Sequence, residues 1–361
     1  MKGIRFFVLN LQPLTFHRQI FFSKDYNMSQ LRRDPVTGRW VEIAVSHPKR
    51  CDEFDINPQT KKGGTCPFCP GNEKMTPPEI EVIRDSKTKP DTSGWTVRVV
   101  SNKFPALKIE GELDKRGIGM YDMSNGIGAH EVIIENPDHY KNLSDLTQDE
   151  IRNVILKYKS RTIDLENDTR FRYILLFKNH GESAGASLEH SHTQLVALPI
   201  VPKRVKEELK GAQNYFKYRE RCVFCDMLAQ EQQEKERIVF ENKYFIAFCP
   251  FVSRFPFEVW LLPKSHSPEF KSIDDSAIYD MAGALKEILA RLKSRLNDPA
   301  YNFIIHTAPI RDGVYEEFHW HLEIMPKLTN IAGFEWGSGL YINPTSPEIT
   351  GKCLREACAT K

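Results

Sequence analysis

Hydrophobic and polar positions along this chain run through the same succession of periods twice. Residues 131–135 read as a strand. Thr147 and Glu150 make a capping box ahead of a helical stripe, Ile151, Val154, Ile155 and Tyr158, and residues 171–179 read as a second strand. Further on, residues 258–262 form the matching strand and Ser272 with Asp275 precedes the longer stripe Ile278, Met281, Leu285, Ile288, Leu289 and Leu292. Residues 301–306 are the strand after it, and the apolar stretches 190–199 and 318–326 predict one more strand in each copy. Short connections and hairpin-like order favour antiparallel sheets with packed helices, an α+β arrangement in two tandem halves. We expect a first half over residues 29–200, a charged, Pro-punctuated linker over 201–221 and a second half over 222–361. Residues 1–28, interrupted by Gln12, Pro13, His17 and Arg18 and without a small-residue cleavage site, do not read as a signal peptide and are expected to be a disordered extension or a start-site artefact ahead of Met28.

Chemistry-bearing residues repeat in register with this pattern. The first set is Cys66-Pro-Phe-Cys69, His139 and His190-Ser-His192; the second is Cys222-Val-Phe-Cys225, His266 and His319-Trp-His321. The lone histidine stands 51 residues before the His-x-His in the first set (139 to 190) and 53 in the second (266 to 319). Glu131 and Glu258 each precede their lone histidine by eight residues, and Asn102-Lys-Phe104 answers Asn242-Lys-Tyr244. An internal duplication accounts for all of this.

With 50 Lys plus Arg against 48 Asp plus Glu, net charge +2, the chain has no electrostatic footprint for DNA or RNA. No apolar run reaches the length of a membrane span. Eight cysteines in 361 residues do not suggest a disulfide framework, and four of them fall in Cys-x-x-Cys pairs. Metal in a reducing, cytoplasmic setting fits better than redox chemistry, which would leave the matched histidines unexplained. Cys66, Cys69, His139 and His190 make a closed Cys₂His₂ zinc site of structural type; Cys222, Cys225, His266 and His319 make its counterpart.

On a strand, residues i and i+2 share a face, so His190 can serve a metal while His192 stays free for catalysis. The small-residue loop 181–187 ahead of them allows backbone amides close to a phosphate. A phosphate there lies against the His192 imidazole, a nucleophile, with the Gln194 amide to stabilise developing charge.

These residues carry a resemblance. The segment Arg-Arg-Asp-Pro-Val-Thr-Gly-Arg-Trp40, Cys66-Pro-Phe-Cys69, Phe177-Lys-Asn-His-Gly181, Ala184-Gly-Ala-Ser187, His190-Ser-His192-Thr-Gln194 and Gly333-Phe-Glu335 together resemble the galactose-1-phosphate uridylyltransferase family of the histidine triad superfamily. The resemblance implies two histidine-triad-like halves and a homodimer. It also implies a ping-pong reaction in which His192 takes a nucleotidyl group from a nucleoside-diphosphate sugar and passes it to an acceptor phosphate. It makes His190, with Cys66, Cys69 and His139, the zinc site, and Gln194 the contact to the transferred phosphoryl group. Asn179 and Ser187 become phosphate or ribose contacts, Asn102 and Phe104 nucleoside contacts, and Glu335 a contact to hexose hydroxyls; Arg50 is placed for substrate phosphate. The second metal is zinc or iron.

Three departures matter. Serine stands between the histidines where the family often has proline, as in a branch resembling ADP-glucose phosphorylases, whose acceptor is inorganic phosphate. His47 falls where a second arginine often stands beside Arg50. In the second half Glu323 replaces the glutamine and residues 308–318 lack the Ala-Gly-Ala-Ser loop, so His321 reads as structural or vestigial. The leading expectation is UDP-glucose:hexose-1-phosphate uridylyl transfer; the second is ADP-glucose phosphorolysis by the same covalent route. The third is a non-enzymatic zinc-binding interaction module.

Overall fold

The computed structural model describes residues 28–45, 47–54, 56, 63–311 and 313–357. The expected extension lies outside them except for Met28. Strands β1 (Gln30–Arg33) and β2 (Trp40–Ile43) come first, then β3 (Glu79–Arg84), β4 (Trp95–Ser101), a hairpin of β5 (Arg116–Ile118) and β6 (Tyr121–Met123), and β7 (Ala129–Ile134). Helix α1 (Gln148–Leu165), β8 (Tyr173–His180) and β9 (His192–Leu198) complete the first half. After α2 (Lys203–Arg219) and α3 (Val223–Glu234) come β10 (Ile238–Glu241), β11 (Phe245–Phe248) and β12 (Val259–Pro263). The chain continues through α4 (Asp275–Arg295), β13 (Tyr301–His306), β14 (His321–Pro326), α5 (Gly333–Ser338), β15 (Tyr341–Asn343) and α6 (Pro347–Arg355).

The fold is α+β. Ten strands form one sheet in the order β10-β11-β12-β14-β13-β8-β9-β7-β4-β3. Read from either edge inward, this is the same five-strand order twice. The copies are joined at the centre, where β8 and β13 pair antiparallel, with Tyr301 opposite His180 and Ile305 opposite Leu176.

Local sequence explains the helices over this sheet. Thr147 caps α1 through Glu150 N–H, and the Glu150 carboxylate accepts Thr147 N–H at 2.7 Å. The expected stripe Ile151, Val154, Ile155 and Tyr158 is wholly buried, and α4 packs beside α1 with Ile278, Met281, Leu285 and Ile288 facing the same core. The start of α4 differs from expectation. Its N-cap is Asp274, and Ser272 belongs to the 3₁₀ turn Phe270–Ser272, which buries Phe270 and Ile273 before the helix begins. The opposite face of the sheet carries two smaller cores, one around Cys66, Phe68, Trp95 and Ile134 and one around Cys222, Phe224, Phe248 and Trp260.

The charged stretch 201–221 is largely helix α2. Strands β1, β2 and β15 form a separate three-stranded sheet, and a disulfide joins Cys51 to Cys353 on α6, although the cysteine spacing suggested no disulfide framework. Among the described residues no helix is long and apolar enough to cross a membrane. Gly211 of α2 fits only without a side chain, since a Cβ there would lie 1.7 Å from the Val36 carbonyl oxygen. Gly211→Ala should therefore lower stability by about 1–3 kcal/mol, read as a lower urea midpoint with an unchanged m-value.

Candidate functional site

Each Cys-x-x-Cys meets its histidines on the face of the sheet opposite α1 and α4. In the first half His190 Nε2 lies 2.8 Å from the Asn136 carbonyl oxygen. A carbonyl only accepts, so Nε2 carries the proton and the Nδ1 lone pair points at Cys69 Sγ (3.6 Å) and Cys66 Sγ (3.8 Å). His139 Nδ1 is 3.4 Å from Cys69 Sγ. The second half repeats the device. His319 Nε2 donates to Pro263 O (3.0 Å) and His266 Nε2 to Glu316 O (2.8 Å), and both Nδ1 atoms face Cys225 Sγ, at 3.5 and 3.4 Å.

In each set the four candidate ligand atoms lie within 4.8 Å of one another. Two thiols and two imidazoles fit a tetrahedral soft-donor site; the other imidazole nitrogen faces a carbonyl at His190, His266 and His319 and the Glu189 carboxylate, 3.8 Å away, at His139. Burial, and then the neighbouring Cys66, push the Cys69 thiol up to about 11, so a metal ion binding there must displace a proton. Cys222 is the N-cap residue of α3, so the second pair opens a helix, which its sequence context had not suggested.

His190 and His319 sit just ahead of β9 and β14, and the strands begin at His192 and His321. His192 Nδ1 lies 2.8 Å from the His190 carbonyl oxygen. The same logic puts the proton on Nδ1 and leaves Nε2 with a free lone pair, the tautomer a nucleophile needs. Burial and then the Lys178 ammonium pull the His192 imidazole down to about 4. The sign is plain: both effects penalise the imidazolium, and a cation at His190 would act the same way. Histidine-dependent chemistry should stay flat from pH 8 down to about 5, where an unshifted imidazole would lose activity below about 6.5. Single-turnover rates across that range check this.

Gln194, two residues along β9, is aimed by a residue the sequence reading missed. His130 Nδ1 accepts the Ala106 N–H (3.1 Å), so its Nε2 carries the proton and donates to Gln194 Oε1 (2.8 Å). With its oxygen engaged, the Gln194 amide is left to donate with its nitrogen. Asn102 joins the cluster, since its N–H donates to His130 O (2.8 Å) and its Nδ2 lies 3.1 Å from His130 Nε2, a contact between two donors that adds no hydrogen bond in this tautomer. Asn102 Oδ1 accepts the Phe104 N–H, and the Phe104 ring stands 83% exposed.

Asn179, at the end of β8, holds the small-residue loop. Its Nδ2 reaches Gly185 O (3.4 Å), and its Oδ1 accepts from Asn302 of β13, which also donates to Ala184 O at 2.8 Å. Gly181 (φ 83°) and Gly185 (φ 88°) adopt the left-handed backbone the loop requires, and Ser187 follows them. The structure thus brings His192, Gln194 and Asn102 together on one side, and Asn179 with the loop bearing Ser187 beside the start of β9. Asn302, from the second half, was not anticipated.

Arg50 and Glu335 are not in this cluster. Arg50 pairs with Glu53 at 3.5 Å on the exposed segment whose Lys49 docks on Pro344, and Glu335 caps its own helix by accepting Ala332 N–H.

In the second-half counterpart charge and stacking engage His321, which lines a cavity with Trp260, Arg254 and Glu323. His321 lies between Trp260 (5.0 Å) and His306 (4.7 Å, 12° between planes), with Glu323 Oε1 3.9 Å from its Nε2. Although burial pulls it down, Glu208 and Glu323 push His306 up to about 10, so it is an imidazolium paired with carboxylates. Arg254 takes the other side of Glu323 at 2.6 Å. A carboxylate in the glutamine's place repels a phosphoryl group, in keeping with a structural His321.

A family model described as galactose-1-phosphate uridyl transferase, N-terminal domain, matches residues 19–202, and a domain of unknown function matches 125–358. The chain is 38% identical to an ADP-glucose phosphorylase from Arabidopsis thaliana, across 92% of this chain and 93% of that one. It is 28% identical to a galactose-1-phosphate uridylyltransferase from Thermotoga maritima, covering 91% and 98% of the two chains. A crystal structure of an ADP-glucose phosphorylase from Arabidopsis thaliana with bound ADP-glucose superposes with a TM-score of 0.77 at 36% identity, covering 92% of this chain and 100% of that one.

Proposed function

The chain belongs to the galactose-1-phosphate uridylyltransferase family, and we propose from that membership that it is a nucleotidyltransferase acting on nucleoside-diphosphate sugars through a covalent nucleotidyl-His192 intermediate. The observation that carries this is the tautomer of His192, with Nδ1–H held by the His190 carbonyl and Nε2 free beside a Gln194 amide aimed by His130. In the first step Nε2 bonds to the α-phosphorus and the bond to the bridging oxygen breaks, releasing hexose 1-phosphate. Gln194 donates to the phosphoryl oxygens as charge builds on them. In the second step an oxygen of the acceptor phosphate displaces Nε2, and the imidazole returns to its starting tautomer. Two easier displacements replace one hard one.

For donor and acceptor we propose ADP-glucose and inorganic phosphate. This reverses the order the sequence alone suggested, and three features support it: the 38% identity to an ADP-glucose phosphorylase, Ser191 between the histidines, and His47 in place of a second acceptor-side arginine. Uridylyl exchange between UDP-glucose and galactose 1-phosphate is the second reading, favoured by the 19–202 family match. Steady-state assays with each pair decide between them: the proposal expects glucose 1-phosphate and ADP only when phosphate accompanies ADP-glucose, and a higher kcat/KM with UDP-glucose and galactose 1-phosphate would reverse it.

The two Cys₂His₂ sets would each hold zinc as a structural ion that fixes the strand leading into the His-x-His; iron in the second remains the alternative identity. Free thiols at all four Cys-x-x-Cys positions suit a reducing, cytoplasmic setting, against which the Cys51–Cys353 disulfide stands. A homodimer would cover the exposed aromatics Phe334 and Trp336 that flank Glu335, the residue assigned to hexose hydroxyls, while Arg50 is assigned to substrate phosphate.

A further inference from the structure

Behind the nucleophile, on the helix face of the sheet, lies a charged network that the mechanism above does not use. Glu135 and Lys178 are both fully buried and 2.7 Å apart. Lys178 Nζ also donates to Ser191 Oγ and to the His192 carbonyl oxygen, each at 3.0 Å. Ser191 and Thr193 donate to the Glu135 carboxylate at 2.5 Å each, and Tyr158 donates to Thr193 Oγ1 at 2.6 Å. The residues on either side of His192 and its own carbonyl are therefore all tied to one ion pair.

The duplicated half is an internal control for what this arrangement is for. Counting from each His-x-His, Ser191 corresponds to Trp320 and Thr193 to Leu322. The pairs Phe177 with Gln194 and Ile304 with Glu323 are equivalent, so Lys178, next along its strand, corresponds to Ile305. Eleven residues past the helix caps Thr147 and Asp274, Tyr158 corresponds to Leu285. Leu285, Ile305, Trp320 and Leu322 are at most 1% exposed and belong to the main core. The same packing positions under the same strand order are filled there by hydrocarbon. The fold does not require polar groups at these places, and a buried ion pair is generally no more stabilising than well-packed hydrocarbon of similar volume.

We propose that Glu135 and Lys178, with Ser191 and Thr193, are positioning residues for nucleotidyl transfer, kept in the active half alone to fix the His192 backbone and hence the line of attack of Nε2. The proposal rests on the nucleotidyl-His192 reading. An ion pair that grips three consecutive residues holds the imidazole against the recoil of forming and breaking a bond to phosphorus. Misplacement by about 1 Å costs on the order of 100-fold in rate.

The test replaces the network with hydrocarbon: Lys178→Ile and Thr193→Leu take the residues of the second half, and Glu135→Leu and Ser191→Ala are made with them. Rapid-quench labelling with ADP-glucose and with UDP-glucose is run beside wild type, with metal content, melting temperature and nucleotide-sugar Kd measured on both. We expect a folded variant with the wild-type metal content and Kd, and a first-step rate lower by about 100-fold or more. A wild-type labelling rate in the folded variant overturns the proposal. Should this variant not fold, the volume-conserving pair Glu135→Gln/Lys178→Met is read the same way. If neither folds, the network is structural and the proposal also fails. An unlabelled wild-type protein instead counts against the covalent reading itself.

Discussion

His192→Asn should abolish nucleotidyl transfer, by about 10⁴-fold or more, while the protein keeps its metal and its melting temperature. The size of the effect follows from the role. Asparagine offers no lone pair comparable to imidazole Nε2, so the covalent route closes and only uncatalysed transfer within the bound complex is left. The fold should not notice. The proposed metal ligand is His190, whose Nδ1 faces Cys66 and Cys69, and asparagine Nδ2 can still donate to the His190 carbonyl that His192 Nδ1 now engages. Kinetics on purified protein with metal analysis alongside check this; a variant that retains a tenth of wild-type activity would remove His192 as nucleophile. His321→Asn is the companion control. Its imidazole is stacked between Trp260 and His306 and faces Glu323, so transfer should persist.

Metal removal should have the second large effect, on stability first and activity through it. Cys66 and Cys69 come from a turn, His139 from the loop after β7 and His190 from the approach to β9, so one ion would tie together chain segments up to 124 residues apart. Structural zinc sites contribute apparent binding energies of about 10–16 kcal/mol near neutral pH, so losing one is expected to lower the melting temperature by about 10 °C or more. Cys69→Ala should do this in the first half and take activity with it. Its thiol is pushed up to about 11 by burial and by Cys66, so the metal must displace a proton and affinity must fall as pH falls. Metal analysis should give two ions per chain for wild type and one for Cys69→Ala. An unchanged melting curve on chelation would mean the cysteines hold no structural ion.

Much of this was legible in the sequence because the duplication supplies its own control. One histidine says little; two sets in the same order, with the same offsets from Glu131 and Glu258, left few readings for Cys66, Cys69, His139 and His190. Strand and helix periods placed β7, α1, β12 and β13 well, since α1 buries one stripe and the strands are short apolar runs, β12 buried along its whole length. The parts that were not legible depend on neighbours brought together across the sheet. His130 lies diagonally from Gln194, because Val132 is the residue opposite Gln194, and no local period marks that relation. Asn302 meets Asn179 only because β13 and β8 pair, and edge-to-edge pairing is made by backbone groups that every sequence has. The cap of α4 shifted to Asp274 because burial of Phe270 and Ile273 outweighed the capping signature at Ser272. Lys178 reads as an ordinary polar strand residue until its burial against Glu135 is seen.

The most direct test of a nucleotidyl-His192 enzyme is the intact mass of the protein after brief exposure to ADP-glucose or UDP-glucose with no acceptor present. The account predicts a gain of one AMP from ADP-glucose, absent in His192→Asn and discharged when phosphate is added. A gain of one UMP alone would keep the mechanism and change the substrate. No gain from either sugar nucleotide, in folded and metal-loaded protein, would contradict the account.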